Sequence, residues 1–128
     1  MAGHSELEMQ NSILAKLVEA RFQQSIIVPQ AFFETEATRI AEACWAMAKR
    51  FHAGGRLLAF GNGSAATDAQ HISVEFVHPV IVGKRALPAL SLTNDSAIIS
   101  GLSATSTGGA DFTHQLDLLA RPQDIAVG

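Results

Sequence analysis

Arg56-Leu57-Leu58-Ala59-Phe60, then Gly61-Asn62-Gly63-Ser64, then Ala65-Ala66-Thr67-Asp68-Ala69-Gln70-His71 is the stretch that decides the fold of this chain. A short apolar run bounded by glycines has the length and setting of a buried parallel strand. Gly-Asn-Gly supplies turn chemistry. The residues after it predict a helix over about Ala65 to Phe76, stopped by Pro79. A strand, a Gly-rich turn and a helix in that order open a βαβ unit.

Beyond this unit the alternation continues. Val80 to Gly83 reads as a turn or short extended piece, and Ala89 to Leu92 as a second strand. Asp95 or Ser96 can cap a helix through Ala97–Leu102. Thr105 to Gly109 is small and polar and predicts a loop, and Asp111 to Ala120 predicts a helix offering Phe112, Leu116, Leu118 and Leu119. Pro122 closes it, and Asp124 to Gly128 starts a third strand. Helices alternating with parallel strands predict an α/β fold, a doubly wound parallel sheet flanked by helices. Three short strands make an incomplete sheet with an exposed edge, so the chain is expected to be C-terminally truncated or dependent on a partner.

On the N-terminal side, Leu7, Ile13, Leu14, Leu17, Val18 and Phe22 follow helical spacing and predict an amphipathic helix over Ser5–Gln24. Pro29 is expected to close that segment. A second helix is predicted over Gln30–His52, with Phe32, Phe33, Ile40, Met47 and Phe51 on its inner side and Gly54-Gly55 at its end. This gives an N-terminal helical segment over 1–53, with an oligomerisation role, and an α/β part over 54–128.

The totals exclude several classes. With 128 residues and 48% hydrophobic content the chain suits one packed domain. A net charge of −3 with scattered Lys and Arg offers no nucleic-acid or anionic-membrane surface. The single cysteine, Cys44, lies in the apolar run AEACWAMA, where a buried thiol is the ordinary expectation. MAGHSELEMQ lacks the apolar core of a secretory signal, and no run approaches the roughly 20 apolar residues of a membrane span. A soluble, cytoplasmic protein is expected.

The loop carries the chemistry. A Gly-rich turn opening a helix lets backbone N–H groups approach an anion, and Ser64 and Thr67 can add hydroxyl donors. The same residues also serve as an ordinary tight turn. Neither the Walker A pattern nor the full dinucleotide fingerprint is present. His71 and Glu75 stand four residues apart on the predicted helix and share a face. They can bind zinc, act as base and acid on a sugar carbonyl, or form a plain surface pair. His78, beside Pro79, is a poorer ligand.

These residues resemble the phosphoheptose isomerase branch of the SIS family. The likeness runs from Ala53-Gly54-Gly55-Arg56 through Phe60-Gly61-Asn62-Gly63-Ser64 to Asp68-Ala69-Gln70-His71 and Glu75. It resumes at Leu87-Pro88-Ala89-Leu90-Ser91-Leu92 and at Arg121 to Gly128. The resemblance implies that residues 54–128 are the first part of a SIS phosphosugar-binding domain. It implies that Asn62, Gly63, Ser64 and Glu75 bind a sugar phosphate, that Glu75 is catalytic, and that His71 and Glu75 coordinate zinc with the remaining ligands beyond Gly128. The reaction implied converts sedoheptulose 7-phosphate into an aldose phosphate through an enediol, in a homotetramer. The alternative expectation is a non-catalytic SIS protein that senses a phosphosugar or docks on a partner.

Overall fold

The computed structural model describes residues 2–105 and 112–128. They form, in order, α1 (Ala2–His52), β1 (Leu57–Ala59), α2 (Ser64–Val77), β2 (Ala89–Ser91), α3 (Ser96–Thr105), α4 (Thr113–Leu119) and β3 (Ile125–Val127). Two compact units result, Met1–Ala43 and Cys44–Gly128.

The first unit corrects the expectation of two N-terminal helices. α1 is one helix of 51 residues with Pro29 inside it. Proline removes one N–H, so the Ser25 carbonyl loses its usual donor four residues on. Ser25 is exposed, and water can replace that donor. Beyond the proline, pairs one turn apart support the helix. Gln30 Nε2 donates to Glu34 Oε1 at 2.9 Å, and Arg39 meets Glu36 at 2.7 Å. The apolar stripe exists as read, but it is uncovered: Leu14, Leu17, Val18, Phe22, Phe32 and Phe33 are all exposed.

The second unit begins with the last turns of α1. Cys44 is exposed, contrary to the buried thiol expected, because the apolar run around it lacks cover on that side and Trp45 is exposed with it. Met47 and Phe51 are only half exposed, and Phe51 stacks on Phe76 with ring centroids 5.6 Å apart. The Gly54 and Gly55 N–H groups donate back to the Phe51 and Arg50 carbonyls, closing α1 where the glycines predict.

The sheet is parallel with strand order β2-β1-β3. Leu57 sits level with Ala89 on one side and Ile125 on the other, and Ala59 with Ser91 and Val127. β1 is therefore central, and Leu57, Leu58 and Ala59 are the most deeply buried residues described. This is the continuous apolar run of a strand covered on both faces. The chain leaves β1 for β2 on one flank and returns to β3 on the other, so the carboxyl end of β1 lies at the point where the strand order reverses. Ligands of open α/β sheets bind in such a crevice.

Arg56 and Asp124 tie the strand starts together. Asp124 Oδ1 accepts from the Arg56 backbone N–H at 2.8 Å, and Oδ2 accepts from Nη2 at 2.7 Å and from the Arg121 N–H at 3.1 Å. The Asp124 side chain is 2% exposed, and these hydrogen bonds, those from Arg56 first, hold its pKa down at about 2. Asp95, rather than Ser96, caps α3: its Oδ1 accepts from the Ala97 and Ile98 N–H groups at 3.0 Å each. Of the loop expected at Thr105 to Gly109, Thr105 ends α3 and the rest lies outside the described residues.

Candidate functional site

The loop after β1 occupies residues 60–63, and Ser64 is the first residue of α2 rather than the last of the loop. Phe60 anchors it from below, its N–H donating to the Val127 carbonyl at 2.9 Å and its ring packing against Phe112 at 5.3 Å. Gly63 has φ 59° and ψ −125°, a conformation open to glycine and costly for other residues. A Cβ on Gly61 would stand 2.7 Å from the Ala65 side chain, so the loop folds this tightly only with glycine there.

No side chain caps α2. The Ala65 and Ala66 N–H groups turn back onto the Asn62 and Gly63 carbonyls at 3.1 and 3.2 Å. Those of Asn62, Gly63 and Ser64 find no backbone acceptor among the described residues. Three N–H groups at the start of a 14-residue helix, at the sheet's reversal point, are left available to an anion, a candidate anion cradle.

A polar lattice braces α2 against the end of β2. Thr93 Oγ1 lies 2.7 Å from the buried Ser91 Oγ and 3.3 Å from Gln70 Nε2, and donates to the Ala66 carbonyl at 3.4 Å. Buried Gln115 donates to the Leu92 carbonyl at 3.3 Å. This brace carries no recognisable signal in the sequence, because it joins α2 to residues at the end of β2 that follow more than twenty positions later.

His71 and Glu75 follow on α2. Their Nε2 and Oε1 atoms are 3.4 Å apart, with side chains 72% and 46% exposed. Two donors each about 2.1 Å from a tetrahedral ion stand about 3.4 Å apart, so the pair has the spacing of two zinc ligands. Among the described residues no group of three or more His, Cys, Asp or Glu could hold a metal, so the pair is at most half of a closed shell. By helical rise Glu75 lies about 16 Å beyond Ser64 along the axis and His71 about 10 Å. Beside Glu75 opens a cavity of about 340 Å³. His78 is the residue at which α2 ends, outside the pair.

The family model described as SIS domain matches residues 22–127, most of the chain. The chain belongs to the SIS domain family. It is 33% identical over 118 residues to a phosphoheptose isomerase of Desulfovibrio desulfuricans, covering 92% of this chain and 56% of that protein. It is 37% identical over 106 residues to a phosphoheptose isomerase of Roseiflexus, covering 83% and 54%. The solved structure of phosphoheptose isomerase GmhA from Neisseria gonorrhoeae superposes with a TM-score of 0.76 at 30% identity, over 90% of this chain and 59% of that one. That of a phosphoheptose isomerase from Francisella tularensis gives 0.60 at 28%. This SIS chain thus spans a little over half the length of the relatives it matches. No described helix is long and apolar enough to cross a membrane.

Proposed function

We propose that this chain carries the phosphosugar-binding part of a sedoheptulose 7-phosphate isomerase. The observation that carries the reading is the His71–Glu75 pair at 3.4 Å on the helix whose first turn forms the anion cradle. The relatives named phosphoheptose isomerase support it. In this reading Asn62, Gly63 and Ser64 hold the sugar phosphate through N–H groups. Glu75 takes a proton from the carbon beside the ketose carbonyl, leaving an enediolate; a proton passes from the hydroxyl oxygen on that carbon to the former carbonyl oxygen, and Glu75 returns its proton to the former carbonyl carbon, which yields the aldose. Atoms balance without a redox partner. His71 and Glu75 would hold a zinc ion, with further ligands supplied from beyond Gly128, and its charge would polarise the carbonyl.

The exposed apolar stripe of α1 supports a homo-oligomer, a tetramer in this proposal, in which that face is covered. A cytoplasmic location fits a phosphorylated substrate. The test is direct: supply the full-length protein with sedoheptulose 7-phosphate and follow the aldose proton by NMR. Appearance of the aldose supports the reading. Binding without turnover would replace it with the sensing or docking role.

A further inference from the structure

The loop before α2 is held to the sheet at both ends. At its entry the Phe60 N–H donates to the Val127 carbonyl of β3 at 2.9 Å. At its exit the helix has little grip of its own. No side chain caps α2, and its buried residues, Ala69 and Ser73, lie beyond the first turn. Within 64–67 only Ala66 is half-buried, and its carbonyl is the group that Thr93 reaches, at 3.4 Å. Thr93 is itself well fixed, because the Leu92 N–H before it donates to the Ala59 carbonyl of β1 at 2.9 Å.

The protons of this contact follow from its partners. Thr93 Oγ1 meets Ser91 Oγ at 2.7 Å, Gln70 Nε2 at 3.3 Å and the Ala66 carbonyl at 3.4 Å. A hydroxyl offers one proton and two lone pairs, an amide nitrogen only donates and a carbonyl only accepts. The Thr93 proton therefore goes to Ala66, and Ser91 donates its own to Thr93. Ser91 Oγ accepts the Thr93 backbone N–H in return, at 3.3 Å. The protein thus fills every position on the Thr93 hydroxyl and leaves it no proton for a ligand. The two links to α2 are long and each is weak, so they set a direction more than they add stability.

We propose that Thr93 is a positioning residue: by holding the Ala66 carbonyl it fixes the exit of loop 60–63 and so the direction of the N–H groups that would meet the phosphate. This rests on the reading of Asn62, Gly63 and Ser64 as the phosphate cradle. The route is short. The Ala66 N–H donates to the Gly63 carbonyl at 3.2 Å, and that carbonyl shares one planar peptide with the Ser64 N–H. One residue earlier, the Ala65 N–H donates at 3.1 Å to the Asn62 carbonyl, whose peptide carries the Gly63 N–H. Turning the first turn of α2 therefore turns two of the three donors with it.

Inorganic phosphate is the probe, titrated into the isotope-labelled full-length protein and followed by amide NMR. Thr93→Val keeps the shape and the methyl group but loses the hydroxyl, and Thr93→Ser keeps the hydroxyl. Valine should displace the Gly63 and Ser64 amide resonances before any phosphate is added. It should also weaken phosphate binding about three- to tenfold, whereas serine should hold it within about twofold of the parent. Gln70→Leu, at an exposed position, removes one link to α2 and should weaken phosphate about two- to threefold, a loss readable even if Thr93→Val does not fold. If the enzyme turns over, KM for the sugar phosphate should rise in step with kcat within about threefold. Parent phosphate affinity and parent amide positions in Thr93→Val, or parent affinity in Gln70→Leu, overturn the positioning role and leave the cradle standing. A serine variant as impaired as the valine one assigns the effect to packing and overturns it too. Amides of 62–64 that phosphate does not move in the parent remove the cradle, and the role of Thr93 with it. Weakened phosphate binding in the variants of a protein without turnover keeps the role and removes the isomerase.

Discussion

Replacing Asp124 tests the contact that joins the start of β1 to the start of β3. Asp124→Ala removes the acceptor of two backbone N–H groups, those of Arg56 and Arg121, and of the Arg56 guanidinium. The guanidinium keeps the Leu119 carbonyl at 2.7 Å but loses its carboxylate. Breaking a charged, hydrogen-bonded pair from one side costs about 3 kcal/mol, the stranded N–H groups included. The carboxylate is held at about 2 against an ordinary 3.8, so its charged form is favoured in the folded state. That preference contributes roughly 1–2 kcal/mol once screening at the partly open guanidinium is allowed for. A depressed carboxylate pKa stabilises above the unfolded value and ceases to do so as pH falls through the folded one. The contribution is therefore complete above about pH 4 and fades towards pH 2. Urea unfolding followed by circular dichroism, at fixed protein concentration and from pH 7 down to pH 2.5, measures it. Asp124→Ala should lower the midpoint at pH 7, and Asp124→Asn should flatten the loss of stability below pH 4. An Asp124→Asn protein with the parent's midpoint and the parent's acid slope would show that the Asp124 charge contributes nothing to holding β1 and β3 together.

Gly63→Ala places a side chain at φ 59° and ψ −125° and should cost about 1–3 kcal/mol, with weaker phosphosugar binding; thermal melting and calorimetry check both. Phe22→Asp and Leu17→Asp put charge on the exposed stripe of α1 and should shift the protein towards smaller species in sedimentation velocity, whereas an unchanged distribution argues against assembly through that face. His71→Ala removes one of two donors, and elemental analysis should show zinc content falling at least tenfold after dialysis.

Much of the fold was legible because it rests on local signals. The glycine-bounded run Leu57–Phe60 gave the central strand, and Pro79 and Pro122 marked the ends of α2 and α4 within three residues. The three strands lie where the apolar runs place them. Pro29 misled because a proline costs a helix one hydrogen bond, and an exposed carbonyl can recover it from water. Cys44 misled because an apolar run says only that a face prefers cover; in this chain that cover is absent on the Cys44 side. At the site, the shared face of His71 and Glu75 followed from spacing alone, whereas the loop read at 61–64 lies one residue earlier, at 60–63, because β1 ends at Ala59 and Ser64 already belongs to α2. The Thr93 brace did not, because it depends on where the chain returns after leaving α2.

Glu75 is the proposed proton carrier. Glu75→Gln in the full-length protein keeps the side chain's size and removes its carboxylate, at a position 46% exposed where the fold tolerates the change. Turnover of sedoheptulose 7-phosphate, followed by the aldose proton in NMR, should fall by about 10²–10⁴-fold while calorimetric affinity for the sugar phosphate stays within a few-fold. Turnover equal to the parent's would contradict the account and leave His71 and Glu75 as a surface pair.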